Sequence, residues 1–444
     1  MITEPIAVAT KETRCKPYRV LHVLDHSWPV LSGYSIRSQH LVHAQQRVGF
    51  APRVLTSPLH QLDDAGAGDA SLNGVSYSRT PLGAGIAGRI ITRRWPVLRE
   101  AAVIRLLRNR ILQLLDSAPF DVVHAHSPVL CGIAACQAAK LRGTPFVYEI
   151  RSFWEDAAVA KGKNSGRNLR YAASRKLETS LVRKADAVVG IAQHILRDLR
   201  SRALDPAKLF YVSNGVDTEL FRPLARDVQL AARLGLGEEI VFGYVGSLSR
   251  YEGVPWLVRA MGELRQRGVK CRLIVVGGGE EATAVASAVQ QLGLQECVSA
   301  VGKVPHDQVH AYYSVIDVLV YPRRSSRLTE LVTPLKPLEA MALAKPLLAT
   351  RIGGMLELVE HERTGLLFDP EDVHDFCLQA MRLVEQPELR RKLGDQARES
   401  VEQQRAWKVL VRQYEAVYDY ASRRRVNPNS GAQGLSRVAG RETQ

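Results

Sequence analysis

The sequence predicts an α/β protein of two Rossmann-like, doubly wound parallel-sheet domains that face each other across a cleft. Short apolar runs rich in β-branched residues recur along the 444-residue chain, and amphipathic segments of helical period separate most of them. Runs that are apolar on both faces and are joined by helices are typical of parallel sheets. The pattern restarts at about residue 208, which indicates a second unit of the same kind.

The first unit contains five predicted strands, separated by segments of helical length. They are YRVLHVLDH (18–26), PRVLTSP (52–58), DVVHAHS (121–127), TPFVYEI (144–150) and ADAVVGIA (185–192). After the first strand, the turn LSGYS is followed by a helical stretch that continues to about residue 47. This alternation predicts an N-terminal domain over residues 18–207.

The second unit contains seven predicted strands and is predicted to extend over residues 208–400. They are LFYVSNGV, IVFGYVGSL, RLIVVGGG, VSAVGKV, DVLVYP, PLLATRIGG and TGLLF, in this order. Residues 401–421 are expected to form a C-terminal helix that returns to the first domain, and the polar segment 422–444 is predicted to be disordered. Ligands of such folds bind at the carboxyl ends of the strands, so the cleft is the expected site.

The cysteines and the apolar runs indicate a cytosolic protein. The six cysteines form no C-x-x-C pair and have no histidine spacing of the zinc type, so reduced thiols are expected. The chain opens without the basic and apolar regions of a signal peptide, and no run approaches about 18 apolar residues. The sequence therefore predicts a protein that is neither secreted nor membrane-spanning.

The formal net charge of +15 is unevenly distributed. Residues 92–110 hold six arginines against Glu100, and residues 160–184 hold eight lysines and arginines against Glu178. Three interpretations remain open: a solvated helix face, a surface that attracts anionic lipid, and a nucleic-acid site. The absence of helix-turn-helix, zinc-finger and RNP-type aromatic motifs argues against nucleic acid.

The segment LTELVTPLKPLEAMALAKPLLAT (328–350) contains a predicted helix start. Pro337 suits a first-turn position because its missing N–H would have no partner there, so the helix is predicted to begin at about Lys336. Glu339 then lies in the first turn. The N–H groups of that turn and the Lys336 charge favour an anion such as phosphate. The alternative is that Glu339 caps its own helix and Lys336 is solvated.

Several common motifs are absent from the chain. It has no G-x-x-x-x-G-K-[ST] phosphate loop and no G-x-S-x-G nucleophile elbow, and VGGGEE (276–281) is not a dinucleotide fingerprint. The absence of D-x-D argues against a metal-dependent, single-domain sugar transferase. What remains is metal-independent handling of a phosphorylated ligand between two domains, although the fold itself does not fix the chemistry.

Six segments of the second half resemble the donor-binding half of the retaining GT-B glycosyltransferases of family four, the glycosyl transferases group 1. The segments are NGVDTELFRP, YVGSLSRYEGV, LIVVGGGEE, VGKVPHDQVHAYYSVIDVLVYP, PLEAMALAKPLLATRIGG and ELVEHERTGLLF, in this order. The likeness covers about residues 18–420, and the first half resembles the acceptor domain through Gly33 and HAH at 124–126. Within the family, HSWPVLSGYSIRS, RSFWEDAAV and LTELVTPLKPLEAMA are similar to the group associated with exosortase/PEP-CTERM and exopolysaccharide clusters.

The resemblance implies a site for a nucleotide-diphosphate sugar on the second domain. Glu339 would accept hydrogen bonds from the ribose hydroxyls, as an ionised carboxylate can. The main chain at Lys303 and Val304 would meet the base, and the helix start at Lys336, Pro337 and Leu338 would meet the diphosphate. From the first domain, Gly33 would let the backbone approach the same phosphates. His126 corresponds to the family's active-site histidine, whose backbone or ring contacts the transferred sugar.

The chain departs from the family pattern at two places. The two family glutamates are eight positions apart, whereas Glu330 lies nine before Glu339, so either Glu330 reaches the sugar hydroxyls through a longer loop or Thr333 or the main chain replaces it. Where the family has an arginine and a lysine for the diphosphate, this chain has Ser247 and Glu252. A carboxylate cannot replace that lysine. The expected substitutes are Arg250, Arg323, Arg324, Arg327 and Lys336.

The resemblance implies a retaining, metal-independent glycosyltransferase that needs no cofactor beyond its donor. Glu330, Lys336 and His126 are the expected catalytic residues, and the donor is expected to contact Ser247 and Arg250 as well. The acceptor is expected to be a lipid-linked intermediate or a polysaccharide at the cytoplasmic membrane face, in keeping with the basic first half. The alternatives are a non-catalytic nucleotide-sugar-binding homologue, suggested by Glu252, and a GT-B sugar-nucleotide epimerase.

Overall fold

Two mainly parallel sheets organise the chain in the computed structural model, which describes residues 17–30, 32–63, 68–83, 85–93, 97–160, 169–202 and 204–426. The strands of the first sheet are β1 (Arg19–Leu24), β2 (Ala51–Thr56), β3 (Ala70–Leu72), β4 (Val75–Arg79), β5 (Val122–His126), β6 (Phe146–Ile150), β7 (Ala187–Gly190) and β8 (Leu209–Tyr211). They lie in the order β3-β4-β2-β1-β5-β6-β7-β8. Only the β3–β4 pair is antiparallel within the described residues.

The second sheet contains six parallel strands. They are β9 (Ile240–Val245), β10 (Cys271–Val276), β11 (Val298–Gly302), β12 (Val318–Tyr321), β13 (Leu347–Thr350) and β14 (Leu366–Phe368). Their order is β11-β10-β9-β12-β13-β14, so the chain winds outward in both directions from β9. The predicted fold class of two doubly wound domains is confirmed.

Helices cover both faces of each sheet. Those of the first domain are α1 (Gly33–Arg47), α2 (Ile86–Thr92), α3 (Leu98–Ser117), α4 (Val129–Arg142), α5 (Trp154–Ala160), α6 (Leu169–Lys184) and α7 (Gln193–Ser201). Those of the second domain are α8 (Val228–Arg233), α9 (Val254–Gln266), α10 (Ala282–Gln291), α11 (Val309–Val315), α12 (Arg327–Leu331), α13 (Lys336–Ala342), α14 (Gly353–Leu356), α15 (Val373–Glu385) and α16 (Pro387–Gln404). Because helices shield both faces, strands such as β5 and β6 are buried along their whole length.

The predicted boundary at residue 208 is wrong for one strand. β8 (Leu209–Tyr211) pairs in parallel with β7 and closes the edge of the first sheet, so the second domain begins after it. Its apolar sequence made it look like the first strand of a new unit. β3 and β4 were not predicted, because their short polar sequences carry little strand signal.

The chain crosses between the domains a second time after α16. The backbone N–H of Val216 donates to Arg405 O (3.0 Å) and that of Trp407 donates to Val216 O (3.1 Å), so the two crossings lie side by side. The predicted single helix over 401–421 is instead the end of α16, α17 (Trp407–Leu410) and α18 (Gln413–Val426), and α18 packs on β5, β6 and β7. Residues 422–426 belong to α18 rather than to a disordered tail, and residues 427–444 lie outside the described chain.

The other bulk properties agree with a reduced protein that has no membrane helix. Five cysteines are free thiols, namely Cys131, Cys136, Cys271, Cys297 and Cys377, and Cys15 lies outside the described residues. Among the helices described between residues 17 and 426, each is too short or too polar to cross a bilayer.

Glu178 of α6 is a buried carboxylate that predicts an unusual pH dependence of stability. Its side chain is fully buried, and Tyr148 Oη donates to its Oε1 at 2.6 Å. Burial raises the pKa of Glu178 from 4.5 to about 8. The folded protein therefore retains a proton that the unfolded chain loses, so stability falls as pH rises from about 4.5 to about 8 and is level above that range.

We expect Glu178→Gln, which cannot ionise, to remove this contribution. Each unit of pKa shift corresponds to about 1.4 kcal/mol, so the melting temperature of the variant should rise relative to wild type between about pH 5.5 and about pH 8.5. Thermal unfolding at both pH values measures the difference. The same wild-type-to-variant difference at both pH values would show that Glu178 titrates normally.

Candidate active site

The carboxyl ends of the two sheets face each other across a narrow cleft. Gly33, the first residue of α1 after β1, lies opposite the loop before α13, and a Cβ added to it would stand 3.9 Å from Leu335 Cδ1. That distance is ordinary van der Waals contact, so the protein alone does not require glycine there. The predicted role of Gly33, close approach of the backbone to donor phosphates, stays a prediction.

Polar contacts join the domains across this cleft. Arg327 Nε of α12 donates to Asp156 Oδ2 of α5 (3.0 Å), and its Nη2 donates to Asp198 of α7. Glu357 accepts from the backbone N–H groups of Gln193 and His194 (both 2.9 Å) at the start of α7. These contacts set the separation of the two walls in which the predicted site residues lie.

The Lys336 amine is held in a buried charge cluster on the second wall. α13 begins at Lys336, as the sequence predicts. The Nζ atom lies 3.0 Å from Glu252 Oε1, donates to Tyr244 Oη at 2.6 Å and stands 4.9 Å from the Tyr244 ring centre. A Cβ on Gly246 would lie 2.2 Å from Lys336 Cε, so a side chain at this position after β9 would displace the lysine amine.

Glu252, which stands where the family has a lysine, therefore binds the Lys336 amine. Its Oε2 also faces Arg323 Nε at 3.6 Å, so one carboxylate is shared by two cations and the cluster carries a net charge of +1. Burial raises the pKa of Glu252, but Lys336 and Arg323 outweigh it and hold that pKa below the ordinary value. Burial lowers the pKa of Lys336, and the Glu252 carboxylate opposes that loss of charge.

The other candidate cations differ in how far they are committed to partners. Arg324 Nε lies 3.4 Å from Glu371 Oε1. Arg327 is directed at the carboxylates of the first domain, which is contrary to the expectation that it supplies charge to a diphosphate. Arg250 is the least constrained, because its side chain is 64% exposed and its Nε lies 3.9 Å from Glu281 Oε1. Lys336, by contrast, is held against Glu252 and Tyr244.

Glu339 borders a small cavity between the domains. Its Oε2 accepts a hydrogen bond from Tyr313 Oη at 2.8 Å, which fixes the carboxylate in the first turn of α13. The cavity is also lined by Ile36 and Arg37 of α1 and by Leu335. Pro337 and Leu338 are buried, so these two residues could offer a ligand only their main chain.

The Glu330 carboxylate is engaged by main chain and by a hydroxyl. Its Oε2 accepts from the Gly353 N–H at 2.6 Å, at the start of α14, and its Oε1 accepts from Ser325 Oγ at 2.7 Å. Thr333, the alternative sugar contact, is buried and accepts from Asn214 Nδ2 through its carbonyl (2.7 Å) and its Oγ1 (3.1 Å). Thr333 is thus committed to the domain crossing, and contact of Glu330 with a sugar stays a prediction.

The loops after β9, β10 and β11 gather the remaining predicted donor contacts. Ser247 is exposed, and its carbonyl accepts from Tyr244 Oη at 2.7 Å. Lys303 lies across Gly278, where an added Cβ would stand 2.8 Å from Lys303 Cγ. Val304 follows it, half-buried. The three residues lie on one edge of the second domain, at the carboxyl ends of its strands.

His126 lies beneath the opposite wall rather than on it. Its ring is fully buried and its Nε2 lies 2.9 Å from His22 Nδ1, so the expected contact between the ring and a sugar does not fit this structure. The expected backbone contact stays open. Sequence placed His126 at a strand end, where alternate side chains point to opposite faces, but it did not show which face is covered.

The buried histidines form a chain of polar contacts. His22 Nε2 lies 2.8 Å from Gln45 Oε1, and His126 Nδ1 lies 2.9 Å from both Glu149 Oε1 and Arg151 Nη2. Burial lowers the pKa of both His22 and His126, which favours neutral rings.

The histidine cluster does not suit a metal ion. Ligand nitrogens of His22, His124 and His126 lie within 4.8 Å of one another, the one such group among the described residues. However, the neighbouring Glu149 carboxylate already accepts hydrogen bonds from Arg37 Nη1 at 2.5 Å and from Arg151 Nε at 3.0 Å. The surroundings therefore carry excess positive charge, and a buried divalent cation would add to it.

Family models match both domains of the chain. The glycosyl transferase 4-like domain matches residues 32–215, and the glycosyl transferases group 1 model matches residues 229–400. The second domain is thus similar to the glycosyl transferases group 1 and the first domain to the glycosyl transferase 4-like domain. The gap between the two matched ranges contains the first crossing between the domains, and the second range contains the Lys336 cluster and Glu339.

Known proteins are similar to this chain in sequence or in fold. Alpha-D-kanosaminyltransferase of Streptomyces kanamyceticus is 28% identical over 228 residues, which is 50% of this chain and 56% of that protein. The sucrose-phosphate synthase of Thermosynechococcus elongatus superposes with a TM-score of 0.72 at 21% identity, covering 90% and 98% of the two chains. HepE of Anabaena in complex with UDP gives 0.70 at 16% identity, covering 90% and 99%. These likenesses identify the fold as GT-B.

Several residues that shape the cleft were not predicted. Tyr244, Tyr313 and Asn214 position Lys336, Glu339 and Thr333, but nothing in the local sequence distinguishes them from core or loop residues. Glu149 did carry a signal, because a glutamate inside the predicted buried strand TPFVYEI needs a cationic partner.

We expect Lys336→Ala to lower kcat of sugar transfer by about 10²-fold or more, as removal of one transition-state donor typically does, with a smaller effect on donor affinity. The variant Lys336→Met removes the amine but leaves Glu252 facing Arg323, and it therefore separates loss of the cation from loss of folding. It should melt near wild type and remain slow. Nearly wild-type kcat for Lys336→Ala, with an inactive Arg250→Ala enzyme, would transfer the role to Arg250.

Proposed function

We propose that this chain transfers a sugar from a nucleotide-diphosphate sugar to an acceptor with retention of anomeric configuration and without a metal ion. The observation that carries the proposal is the net positive Lys336–Glu252–Arg323 cluster on one wall of the cleft. Glu339, three residues beyond Lys336, borders the adjoining cavity. One short helix thus offers a cation suited to a diphosphate and a carboxylate suited to a ribose.

The chemistry requires positive charge at the leaving group. Breaking the bond between sugar and diphosphate passes through an oxocarbenium-like state, and the departing diphosphate gains negative charge. A preorganised amine such as that of Lys336 stabilises this charge without a metal. In the proposed reaction the acceptor attacks the face that the diphosphate leaves, and a diphosphate oxygen takes the acceptor's proton.

The acceptor is proposed to be a lipid-linked intermediate or a polysaccharide in the synthesis of bacterial exopolysaccharide. Two observations support this choice: the likeness of three segments to the group associated with exosortase clusters, and the basic first half of the chain. The enzyme would work in the cytoplasm, peripherally at the inner face of the cell membrane. Exposed arginines there would be attracted to anionic lipid.

The non-catalytic alternative loses its main support in the Lys336–Glu252 pair. It rested on Glu252 standing where a cation is expected, but the structure places a lysine amine against that carboxylate. A GT-B epimerase would use the same donor site, so only the product distinguishes it from a transferase.

Incubation with a panel of nucleotide sugars tests the proposed function. We expect slow hydrolysis of one donor, because water substitutes for the acceptor. Binding of a nucleotide sugar with no hydrolysis and no transfer would favour the non-catalytic homologue. An isomerised nucleotide sugar would identify an epimerase.

We expect Glu339→Ala to weaken nucleoside diphosphate binding by about tenfold or more, since a charge-assisted hydrogen bond contributes roughly 1.5–3 kcal/mol. Tyr313→Phe is the matched control, because it removes the hydroxyl that contacts Glu339 but keeps the carboxylate. Its effect should be smaller. Titration calorimetry measures both affinities, and unchanged affinity in a folded Glu339→Ala protein would remove Glu339 from the donor site.

We expect turnover to persist in EDTA. The protein itself supplies the positive charge of the Lys336 cluster. The arginines beside the buried histidines already leave excess positive charge there, which disfavours binding of a metal ion. Initial rates with and without the chelator measure the effect. Complete loss of turnover that manganese restores would place the enzyme in a metal-dependent class.

A further inference from the structure

Four large aliphatic side chains of the first domain are exposed near one another along the chain's basic stretches. Their exposed fractions are 74% for Ile86, 73% for Val97, 50% for Leu98 and 90% for Leu169. Single exposed aliphatic residues are ordinary, but a group of them surrounded by polar residues marks an interaction surface. They stand at the starts of α2, α3 and α6.

The topology places these helix starts at the cleft side of the first domain. α3 and α6 lead into β5 and β7, so they run opposite to the parallel strands and begin at the strands' carboxyl ends. α3 is 20 residues, about 30 Å long, whereas β5 has five residues and is about 17 Å long. The first turns of α3 therefore project beyond the strand ends.

A direct contact confirms that two of the helix starts are neighbours. Arg170 Nη2 of α6 lies 3.8 Å from Glu100 Oε1 of α3. Arg170 follows Leu169, and Glu100 lies two residues after Leu98. The aliphatic residues at the starts of α3 and α6 thus belong to one surface.

Cations surround these aliphatic residues. Arg89 and Arg93 are exposed, Arg99 is half-buried and Arg170 is 67% exposed. Among the described residues at the starts of α2, α3 and α6, Glu100 is the one carboxylate. We call the set of Val97, Leu98, Leu169 and Arg170, at the starts of α3 and α6, the rim. Aliphatic side chains among arginines, with little acidic charge nearby, are complementary to a surface that carries negative charges above an apolar layer.

We propose that the rim docks the enzyme on an anionic lipid bilayer, with its aliphatic side chains in the headgroup–acyl boundary and its arginines against lipid phosphates. A lipid-linked acceptor would then enter the cleft from the membrane over a short distance. The delivery of a lipid-linked acceptor rests on the proposed function, whereas binding of the rim to the bilayer does not. It extends the salt-sensitive attachment expected from sequence, because aliphatic contacts are not screened by salt.

Vesicle binding with matched variants tests the rim. The probes are phosphatidylcholine vesicles with and without phosphatidylglycerol. Leu98→Asp and Leu169→Asp add a carboxylate at an exposed helix start, and Val228→Asp does the same at the start of α8 in the second domain, where Val228 is 75% exposed. Helix starts accept an aspartate, so all three variants should fold.

We expect wild type to bind vesicles containing phosphatidylglycerol at low salt and to retain part of that binding at about 0.5 M salt. Each rim variant should bind about tenfold more weakly, and Val228→Asp should match wild type. Equal losses in all three variants, or no binding to either vesicle, would overturn the proposal. Self-association that the rim variants abolish, without vesicle binding, would instead identify a contact between copies of the chain.

Donor hydrolysis without vesicles separates this proposal from the proposed function. The rim variants should hydrolyse the donor as wild type does, because the rim lies outside the donor site. A protein that docks through the rim but hydrolyses no donor would refute the enzymatic proposal and leave the docking surface standing.

Discussion

The arrangement of the two domains depends on the buried carboxylate of Glu149. It accepts from Arg37 of α1 at 2.5 Å, from Arg151 at 3.0 Å and from the Tyr414 hydroxyl of α18. Arg37 continues through its Nε to Asn214 Oδ1 at 2.7 Å, and Asn214 in turn holds the loop before α13. One charge at the end of β6 thus connects the first sheet, the returning helix, the domain crossing and the donor wall. Its loss would leave two buried arginines without their anion.

The two walls of the cleft repeat the same electrostatic arrangement. On the first, Glu149 is shared by Arg37 and Arg151, and on the second, Glu252 is shared by Lys336 and Arg323. Each group has one more cation than anion, so both walls carry excess positive charge near the carboxyl ends of their strands. Buried charges of one sign on both sides of a narrow gap favour a multivalent anion between them. A nucleoside diphosphate meets that requirement, and a neutral ligand does not.

The sequence was sufficient for most of the strands, the fold class and the start of α13 at Lys336, because hydrophobic periodicity and proline position are local signals. It missed β3 and β4. It was not sufficient for properties that depend on partners distant along the chain. The pairing of β8 with β7, the burial of the His126 ring and the contact of Arg327 with Asp156 all arise from tertiary packing. Spacing alone therefore predicted that Arg327 faces the donor, whereas its guanidinium binds carboxylates of the other domain.

Glu252 and Lys336 are interpretable only as a pair. Glu252 with Arg323 alone would be neutral and would leave no cation in excess. Lys336 with Arg323 alone would bring two buried cations together without an anion, and burial would drive the proton from the lysine. Together the three side chains keep one net positive charge, and Gly246 leaves the space in which the lysine stem lies. A family pattern that assigns the diphosphate cation to the loop after β9 finds a carboxylate there. In three dimensions the Lys336 amine of α13 lies against that carboxylate.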